Sequence, residues 1–349
     1  MSLWRKWLPS RTSLSSNGSG AAPFDTPPTV RYNQRHPTRG ASIMRVGFIG
    51  LGTMGGAMAL NAQKGGHDLV VHDLRREAAQ PHLKAGAAWA EGVRAVGEVA
   101  DIVLTSLPGP PEAESVGEEL LASMRPGAPW FDLSTNSPTV ARRLHARLAS
   151  KGIPMLDAPV SGGPSGAKSG KLALLVGGDR AVFDKYRHVL DSIGDQVIYI
   201  GAIGAGSVAK LVHNCAGYAI QTALAEVFTM GVKAGVDPLE LWAAVRQCSL
   251  GRQRTFDRLG RQFLQGVFEP PDFALKLAHK DVTLATELAR EMGVPMRVAN
   301  LTHAEMTEAL NRGWGERDSR VPMLLQEERA GVDIQIPAEK IRAILDRDG

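Results

Sequence analysis

Short apolar runs alternate with longer stretches of helical spacing from residue 44 onward. The apolar runs are bounded by turn-forming residues and predict strands in RVGFIG, HDLVVHD, ADIVLTSLP, APWFDLS, IPMLDAPV, KLALLVGG and QVIYIG. The stretches between the first five runs carry Ala, Leu, Glu and Arg at helical spacing. Strand and helix alternating at this interval predict a parallel sheet with helices on both of its faces.

The pattern changes near Gly204, after which long helical periodicity replaces the strand signal. The segment GSVAKLVHNCAGYAIQTALAEVFTMGVKAG places Val208, Leu211, Val212 and Cys215 on one predicted apolar stripe. A further helix is predicted to begin at DPLELWAAV, with Asp237 as its N-cap. We therefore predict three parts: a dispensable extension over residues 1–43, an α/β domain over 44–203 and a helical domain over 204–349.

A glycine-rich turn joins the first predicted strand to the first predicted helix. It holds a G-x-G-x-x-G pattern, whose positions are Gly50, Leu51, Gly52, Thr53, Met54 and Gly55. The first glycine permits the tight turn, the second lets a pyrophosphate approach the backbone, and the third lets helix and strand pack closely. Asp73 follows at the end of the second strand, where an acid can bind ribose hydroxyls. The sequence therefore predicts a doubly wound parallel (Rossmann) sheet that binds a dinucleotide, followed by an all-helical C-terminal domain.

The identity of the dinucleotide depends on Asp73 and its neighbours. A carboxylate at this place repels the 2′-phosphate of NADP, which favours NAD. Arg75 and Arg76 leave NADP open as an alternative, because guanidinium groups bind phosphate well.

The charge is concentrated at the N-terminus. The 349-residue chain carries a formal net charge of +4, and residues 1–43 hold six basic side chains against Asp25 alone. The remainder is close to neutral, which predicts no nucleic-acid partner. No run reaches the roughly 18 apolar residues of a membrane helix, which predicts no membrane partner. The Ser- and Arg-rich extension is interpreted as disordered, or as sequence upstream of a start at Met44. We therefore expect a cytoplasmic protein, with a mitochondrial transit peptide as the alternative.

The two cysteines, Cys215 and Cys248, are too few and too far apart for a disulfide scaffold or a metal site. We interpret both as reduced and structural, and we expect no metal.

Two further stretches carry candidate chemistry. Lys210, Asn214 and Gly217 lie on one face of the long predicted helix, although a lone lysine there is more often a solvated surface residue. We place that face opposite the apolar stripe and interpret the neighbouring His213 as packed or solvated. The loop that begins at Ser161 follows a strand, where a hydroxyl and successive N–H groups can bind a carboxylate, or where the glycines simply form a flexible turn.

Four stretches together resemble one family. FIGLGTMGGAMALN, DAPVSGGPSGAKSGKLALLVGG, GAGSVAKLVHN and LAHKD are similar to the signature regions of the β-hydroxyacid dehydrogenases, the group that contains 3-hydroxyisobutyrate dehydrogenase. The resemblance runs from about Met44 to the last helices.

The resemblance implies a role for individual residues. It makes Lys210 the catalytic residue and Asn214 a substrate contact, and it assigns Ser161, Gly162 and Gly163 to the acid end of the substrate. It assigns Leu107, Pro108, Thr135 and Lys280 to the cofactor. The implied reaction is reversible NAD-dependent oxidation of a small 3-hydroxy acid to its semialdehyde or keto acid, in a homodimer or homotetramer.

Lys210 also has a physical case as a proton-transfer group. A lysine with its ordinary pKa of about 10.4 is a poor base near neutrality. Desolvation in a cleft and the positive end of the helix that begins near Gly204 would both disfavour the ammonium form.

The chain departs from the family after the long helix. SLGRQRTFDR brings Arg252, Arg254 and Arg258, which either bind a second carboxylate or form a solvated charged face. This departure leaves the substrate open. The alternatives are an NADPH-dependent reductase of small aldehyde acids such as glyoxylate or succinic semialdehyde, and a catalytically silent cofactor-binding scaffold.

Overall fold

The computed structural model describes residues 43–348, apart from Ala234, residues 249–256, Met292 and Val294. All named strands of the described residues lie before residue 202. They are β1 (Arg45–Ile49), β2 (Asp68–His72), β3 (Ala88–Trp89), β4 (Ile102–Thr105), β5 (Trp130–Asp132), β6 (Met155–Asp157), β7 (Val160–Ser161), β8 (Leu172–Gly177) and β9 (Gly194–Gly201).

The strands form one sheet in the order β3-β2-β1-β4-β5-β6-β8-β7, with β9 paired to β8. The first six strands in this order, β3, β2, β1, β4, β5 and β6, are parallel to one another, as the alternating pattern predicted. β8 runs antiparallel to both β6 and β7, which differs from the all-parallel expectation. Ten residues, which include the short helix Gly163–Ser169, connect β7 to β8, whereas a parallel crossover needs a dozen or more residues.

Helices cover both faces of the sheet. They are α1 (Gly55–Lys64), a 3₁₀ turn (Arg76–Ala79), α2 (Gln80–Lys84), α3 (Val93–Val99), α4 (Pro110–Ser123), α5 (Pro138–Ala149), α6 (Gly163–Ser169) and α7 (Arg180–Leu190). Val46 and Phe48 of β1 belong to the apolar core on one face, and Ile49 belongs to the core on the other. Successive strand residues point to opposite faces, so the central strands β1, β4, β5 and β6 are buried and apolar on both sides. The doubly wound α/β fold is thereby confirmed.

The described residues after β9 form helices joined by loops, with an isolated bridge between Ala274 and Asp318. They are α8 (Ala205–Lys233), α9 (Pro238–Gln247), α10 (Asp257–Arg261), α11 (Leu275–Glu291), α12 (Arg297–Asn311), α13 (Met323–Ala330) and α14 (Ala338–Asp348). Their shared core includes the fully buried Trp242 and Phe263. The expected all-helical C-terminal region is confirmed.

The start of α9 follows the predicted capping chemistry. The side chain of Asp237 accepts hydrogen bonds from the backbone N–H groups of Leu239 and Glu240, at 2.9 and 3.1 Å. Pro238 occupies the first helical position, where no intrahelical N–H bond is lost.

The long helix α8 does not show the single apolar stripe that its sequence suggested. Leu211 and Cys215 are buried as expected, but Val212 is 64% exposed and Lys210 is only 8% exposed. α8 contacts β8 and β9 at one place and α11, α12 and α13 at others, so its buried surface is not confined to one stripe. The prediction that Lys210 faces away from the buried side is therefore wrong.

The two cysteines differ in their surroundings. Cys215 is buried and Cys248 is exposed, and both are free. A packing role thus fits Cys215 but not Cys248. Within the described residues, no helix is both long and apolar enough to cross a membrane.

Candidate active site

The glycine turn between β1 and α1 is tight because its backbone folds on itself. Gly50 has a φ of +91°, and a Cβ there would lie 2.3 Å from the carbonyl oxygen of Ser106. A Cβ on Gly55 would lie 1.9 Å from the carbonyl oxygen of Gly50. A Cβ on Gly52 would meet nothing within 4 Å. The chain's own packing therefore requires the first and third glycines, whereas the second faces open space.

That open space lies at the N-terminus of α1, where a phosphate would be favoured. Met54, the residue before the helix, offers no side-chain cap, and the first turn carries no acidic residue. The positive end of a helix with uncapped N–H groups suits an anion. The residues present thus fit a dinucleotide pyrophosphate.

Asp73 is attached to this turn. Its Oδ2 accepts a hydrogen bond from the backbone N–H of Leu51 at 2.7 Å, and its Oδ1 accepts one from the N–H of Arg75 at 2.9 Å. A carboxylate has about four acceptor positions, so two such bonds leave capacity for ribose hydroxyls. The two arginines differ: Arg76 lies against Glu91 and over the ring of Trp89, while the side chain of Arg75 is 73% exposed beside Asp73.

A buried carboxyl group organises the loops after β4 and β5. Asp132 accepts hydrogen bonds from Thr105 Oγ1 (2.9 Å), the N–H of Ser134 (3.1 Å) and Asn136 Nδ2 (3.0 Å). Burial raises the pKa of Asp132, and these hydrogen bonds act in the opposite direction. Ser134 Oγ in turn accepts the N–H of Leu107 at 2.8 Å. The sequence reasoning missed Asp132 and Ser134, although both stand at the carboxyl end of a strand beside predicted cofactor residues.

Lys280 of α11 reaches from the helical region to the same two loops. Its Nζ donates to the carbonyl oxygens of Pro108 and Thr135, at 3.2 and 3.0 Å, and lies 3.0 Å from Asp281 Oδ1. Four residues that the resemblance assigned to the cofactor, Leu107, Pro108, Thr135 and Lys280, are therefore neighbours in space. They come from three separate stretches of sequence.

Lys210 lies on α8 with its amine buried. Its burial lowers the pKa of Lys210 to about 8; the charge of Asp281 acts to raise it and that of Lys280 to lower it. The sequence suggested the N-terminus of α8 as a second cause. Asp157 accepts the N–H groups of Gly204 and Ser207, at 2.7 and 2.6 Å, so the first turn of α8 already has an acceptor. Desolvation is thus the main cause, and that part of the prediction is confirmed.

Asn214, one turn beyond Lys210, contacts α11. Its Nδ2 donates to Asp281 Oδ2 at 2.5 Å, and Asp281 is only 1% exposed. The carboxylate of Asp281 therefore lies between the Asn214 amide and the Lys280 ammonium. A sequence argument could have found it, because LAHKD places the acid directly beside the predicted cofactor lysine.

The loop after β7 meets the same helix. Gly162 and Gly163 have φ values of +132° and +62°, so a side chain at either would be strained. Ser161 Oγ and His213 Nε2 are hydrogen-bonded at 3.0 Å. His213 is exposed, which agrees with its interpretation as packed or solvated, but the sequence reasoning missed its contact with Ser161. Its position three residues after Lys210, on the same helix face, was the available signal.

Arg252 and Arg254, which the sequence placed on the substrate side, lie outside the described residues, as does the side chain of Arg258.

Two family models match the chain in succession. Residues 45–201 match the NAD-binding domain of 6-phosphogluconate dehydrogenase, and residues 204–326 match the NAD-binding domain of NADP-dependent 3-hydroxyisobutyrate dehydrogenase. Among curated proteins, the chain is 32% identical over 294 residues to 2-(hydroxymethyl)glutarate dehydrogenase of Eubacterium barkeri, covering 83% of this chain and 97% of the relative.

The chain belongs to the β-hydroxyacid dehydrogenase family. It is also 33% identical over 292 residues to the probable mitochondrial 3-hydroxyisobutyrate dehydrogenase of Dictyostelium discoideum, covering 80% of this chain and 90% of that one. A solved structure of Mycobacterium tuberculosis 3-hydroxyisobutyrate dehydrogenase with L-serine has a TM-score of 0.74 and 28% identity, and covers 81% of this chain and 99% of that chain.

Membership in this family confirms several expectations at once. The protein is an NAD(P)-dependent oxidoreductase of the hydroxy acid dehydrogenase type, built on a Rossmann-like sheet with a helical C-terminal region. A small hydroxy acid as substrate is consistent with the family.

Proposed function

We propose that this β-hydroxyacid dehydrogenase oxidises a small 3-hydroxy acid of the 3-hydroxyisobutyrate type reversibly to its semialdehyde or keto acid, with NAD as the preferred cofactor. The observation that carries the proposal is the placement of Lys210. The pKa of its buried amine is lowered to about 8. Asn214 lies on the same helix face, and the neighbouring His213 contacts Ser161 in the loop after β7.

The cofactor is held, in this proposal, by the glycine turn over residues 50–55, by Asp73 and by the loops that carry Leu107, Pro108 and Thr135. Lys280 fixes these loops through their carbonyl oxygens. When bound, the nicotinamide supplies the acceptor or donor of hydride, and the protein supplies position and proton transfer.

Lys210 takes the proton of the substrate hydroxyl during oxidation and returns it to the carbonyl oxygen during reduction. With an ordinary lysine pKa of about 10.4, only about one amine in 250 is neutral at pH 8. With the pKa lowered to about 8, half of the amines are neutral there. A pKa close to the working pH lets the same group act as acid and as base.

The acid end of the substrate binds to the loop formed by Ser161, Gly162 and Gly163. The loop offers a hydroxyl and accessible backbone, since both glycines are exposed. Asn214 orients the substrate from the helix, and its own orientation is set by Asp281.

NAD preference rests on Asp73, whose carboxylate would repel a 2′-phosphate. One observation supports a second candidate, an NADPH-dependent reductase of glyoxylate or succinic semialdehyde. The exposed side chain of Arg75 stands beside Asp73, with its Nε 3.9 Å from Oδ1, so it has room to turn toward a phosphate.

The absorbance of reduced nicotinamide tests both candidates. The purified full-length chain is assayed against a panel of 3-hydroxy acids with NAD and NADP, and against the two aldehyde acids with NADH and NADPH. We expect the highest kcat/KM for a 3-hydroxy acid with NAD, and we expect Asp73→Ser to reduce the preference for NAD. A higher kcat/KM for an aldehyde acid with NADPH would instead establish the second candidate.

The assembly and the compartment belong to the same proposal. We propose a homodimer or homotetramer, supported by the exposed apolar side chains of Val212 and Ile220 on α8, which are 64% and 47% exposed. We also propose a cytoplasmic location. Light scattering of the purified protein tests the first, and cell fractionation of the full-length chain tests the second; enrichment with mitochondria would overturn the location.

A further inference from the structure

The hydrogen bond between Ser161 and His213 joins two parts of the proposed substrate site. Ser161 ends β7 and begins the loop proposed to bind the acid end of the substrate. His213 lies on α8, three residues after the proposed proton-transfer residue and one before Asn214. Their side chains meet at 3.0 Å between Oγ and Nε2. The acid-binding loop is therefore attached to the helix that carries the chemistry.

We infer that His213 is a positioning residue for substrate recognition: it donates its Nε2–H to Ser161 Oγ and so turns the serine hydroxyl toward the substrate's carboxylate. This inference rests on the proposed function, because it takes a carboxylate as the partner of Ser161.

The count of protons sets the direction of this hydrogen bond. A serine hydroxyl has one proton and can donate only once, although its oxygen can also accept. If Ser161 donated to His213, its oxygen would present only lone pairs to a carboxylate, and the two would repel. If His213 donates, the serine proton remains available for the carboxylate oxygen. A hydrogen bond to a charged acceptor is stronger than one between neutral groups, which favours the second arrangement when substrate is bound.

The helix geometry explains why this residue matters for the position of the substrate. Residues three apart on a helix are neighbours on one face, so His213 and Lys210 have a fixed spacing. His213 holds Ser161, and Ser161 holds the carboxylate. The carboxylate is thereby placed at a set distance from the amine, as a substrate with one fixed spacing between acid and hydroxyl requires.

The test compares His213→Leu, which removes the donor, with His213→Gln, whose amide keeps an N–H. Val267→Ala is the control, because this side chain is 53% exposed and belongs neither to the proposed site nor to the proposed interface. Steady-state kinetics with 3-hydroxyisobutyrate and saturating NAD are measured for each variant. We expect His213→Leu to raise KM about tenfold with kcat changed by less than about threefold. His213→Gln should recover most of that loss.

A double-mutant cycle separates this role from simple support of the fold. If His213 acts through the serine hydroxyl, His213→Leu should raise KM no further in a Ser161→Ala background. Additive effects in the cycle, or a kcat loss as large as the KM change, would overturn the inference.

Isobutyrate provides a readout that does not depend on turnover, because it has the carboxylate but no hydroxyl to oxidise. Its affinity for the enzyme–NAD complex is measured by calorimetry, and we expect it to fall about tenfold in His213→Leu. Wild-type affinity in that variant would overturn the role of His213 alone. If the wild-type protein oxidises no hydroxy acid, the proposed function is overturned, whatever the isobutyrate titration shows.

Discussion

The sheet region and the helical region position their functional groups by different means. In the sheet region, the cofactor turn depends on backbone meeting backbone, as between Gly55 and the Gly50 carbonyl. In the helical region, side chains of α8 and α11 meet one another, as between Asn214 and Asp281. Backbone contacts need glycine at fixed spacings, whereas side-chain contacts need only compatible partners. The first arrangement is therefore visible in a motif, and the second depends on helix packing.

The two regions also use buried charge differently. Asp132 and Asp157 lie opposite each other at the ends of neighbouring strands, and both accept backbone or side-chain hydrogen bonds that fix loops or a helix start. In the helical region, Lys210, Lys280 and Asp281 are close enough for their charges to alter the pKa of Lys210. Asp132 and Asp157 thus hold structure, while the charges of Lys280 and Asp281 affect the proton affinity of Lys210.

Replacement of Lys210 by methionine gives the largest expected effect, because it removes the chemistry of the helical region and leaves the sheet region intact. General acid–base steps contribute about 10²–10⁴-fold, so we expect kcat to fall at least about 100-fold. NAD affinity, measured by fluorescence titration, should change little. Lys64→Met at the exposed end of α1 serves as the control. Near-normal kcat in Lys210→Met would contradict this assignment, because the amine would then not take part in proton transfer.

The pH dependence of kcat/KM tests the role of charge in the helical region. The pKa of Lys210 is lowered to about 8, so its neutral fraction rises as pH increases and levels off above that value. We expect kcat/KM for oxidation to rise about tenfold per pH unit below pH 8 and for reduction to fall above it. Lys280→Met removes a nearby positive charge that lowers this pKa, so the inflection should move to higher pH. A shift to lower pH would contradict the assignment.

Two alanine substitutions separate the structural from the ligand-facing glycines of the sheet region. In Gly55→Ala, the new Cβ meets the Gly50 carbonyl at 1.9 Å, so we expect a loss of stability of about 1–3 kcal/mol. In Gly52→Ala, the Cβ enters open space, so the melting temperature without cofactor should stay unchanged. NAD affinity should nevertheless fall about tenfold, because the methyl group obstructs the pyrophosphate. Unchanged NAD binding in Gly52→Ala would show that the pyrophosphate lies elsewhere.

A reciprocal pair of histidines and threonines joins α11 to α12. Thr283 Oγ1 donates to the His279 carbonyl and Thr307 Oγ1 to the His303 carbonyl, at 2.9 and 2.8 Å. Each hydroxyl oxygen also meets the other helix's imidazole Nε2, at 2.9 and 2.8 Å. Because both hydroxyl protons are already used, both imidazoles donate. The rings are 4.4 Å apart, so a second proton on each would bring like charges together.

This pair gives the smallest expected effect, a pH dependence of stability that arises in the helical region. Burial, with a smaller contribution from the His303 charge, lowers the pKa of His279, so folding favours its neutral form. In the unfolded chain a histidine has a pKa of about 6.5. The stabilisation is fully present above that pH and is lost as the pH falls from it towards the lower pKa of the folded state. We expect His279→Gln to reduce the fall in melting temperature between pH 7.5 and 5.5 by about one or two degrees. His303→Gln removes only the smaller of the two causes that lower the pKa of His279, so its effect should be smaller. A steeper fall in either variant would contradict the argument.

Local sequence patterns were sufficient to predict those parts of the structure that depend only on residues close together in the chain. The turn from β1 to α1, the Asp237 cap of α9 and the change from strands to helices near Gly204 were all predicted from short stretches of sequence, because each follows from backbone conformation or hydrophobic period. The family resemblance rested on the same local stretches, and the comparisons confirm it.

Only the tertiary structure decided which distant groups meet. The antiparallel direction of β8, the burial of Lys210, the acceptor role of Asp157 at the start of α8 and the contact of His213 with Ser161 all depend on how separate elements pack. The spacing of residues along one helix indicates which of them share a face, but not which other element covers that face. Since burial and nearby charge set the pKa of an amine, the chemistry of Lys210 is determined by its packing against other elements and not by its place in a motif.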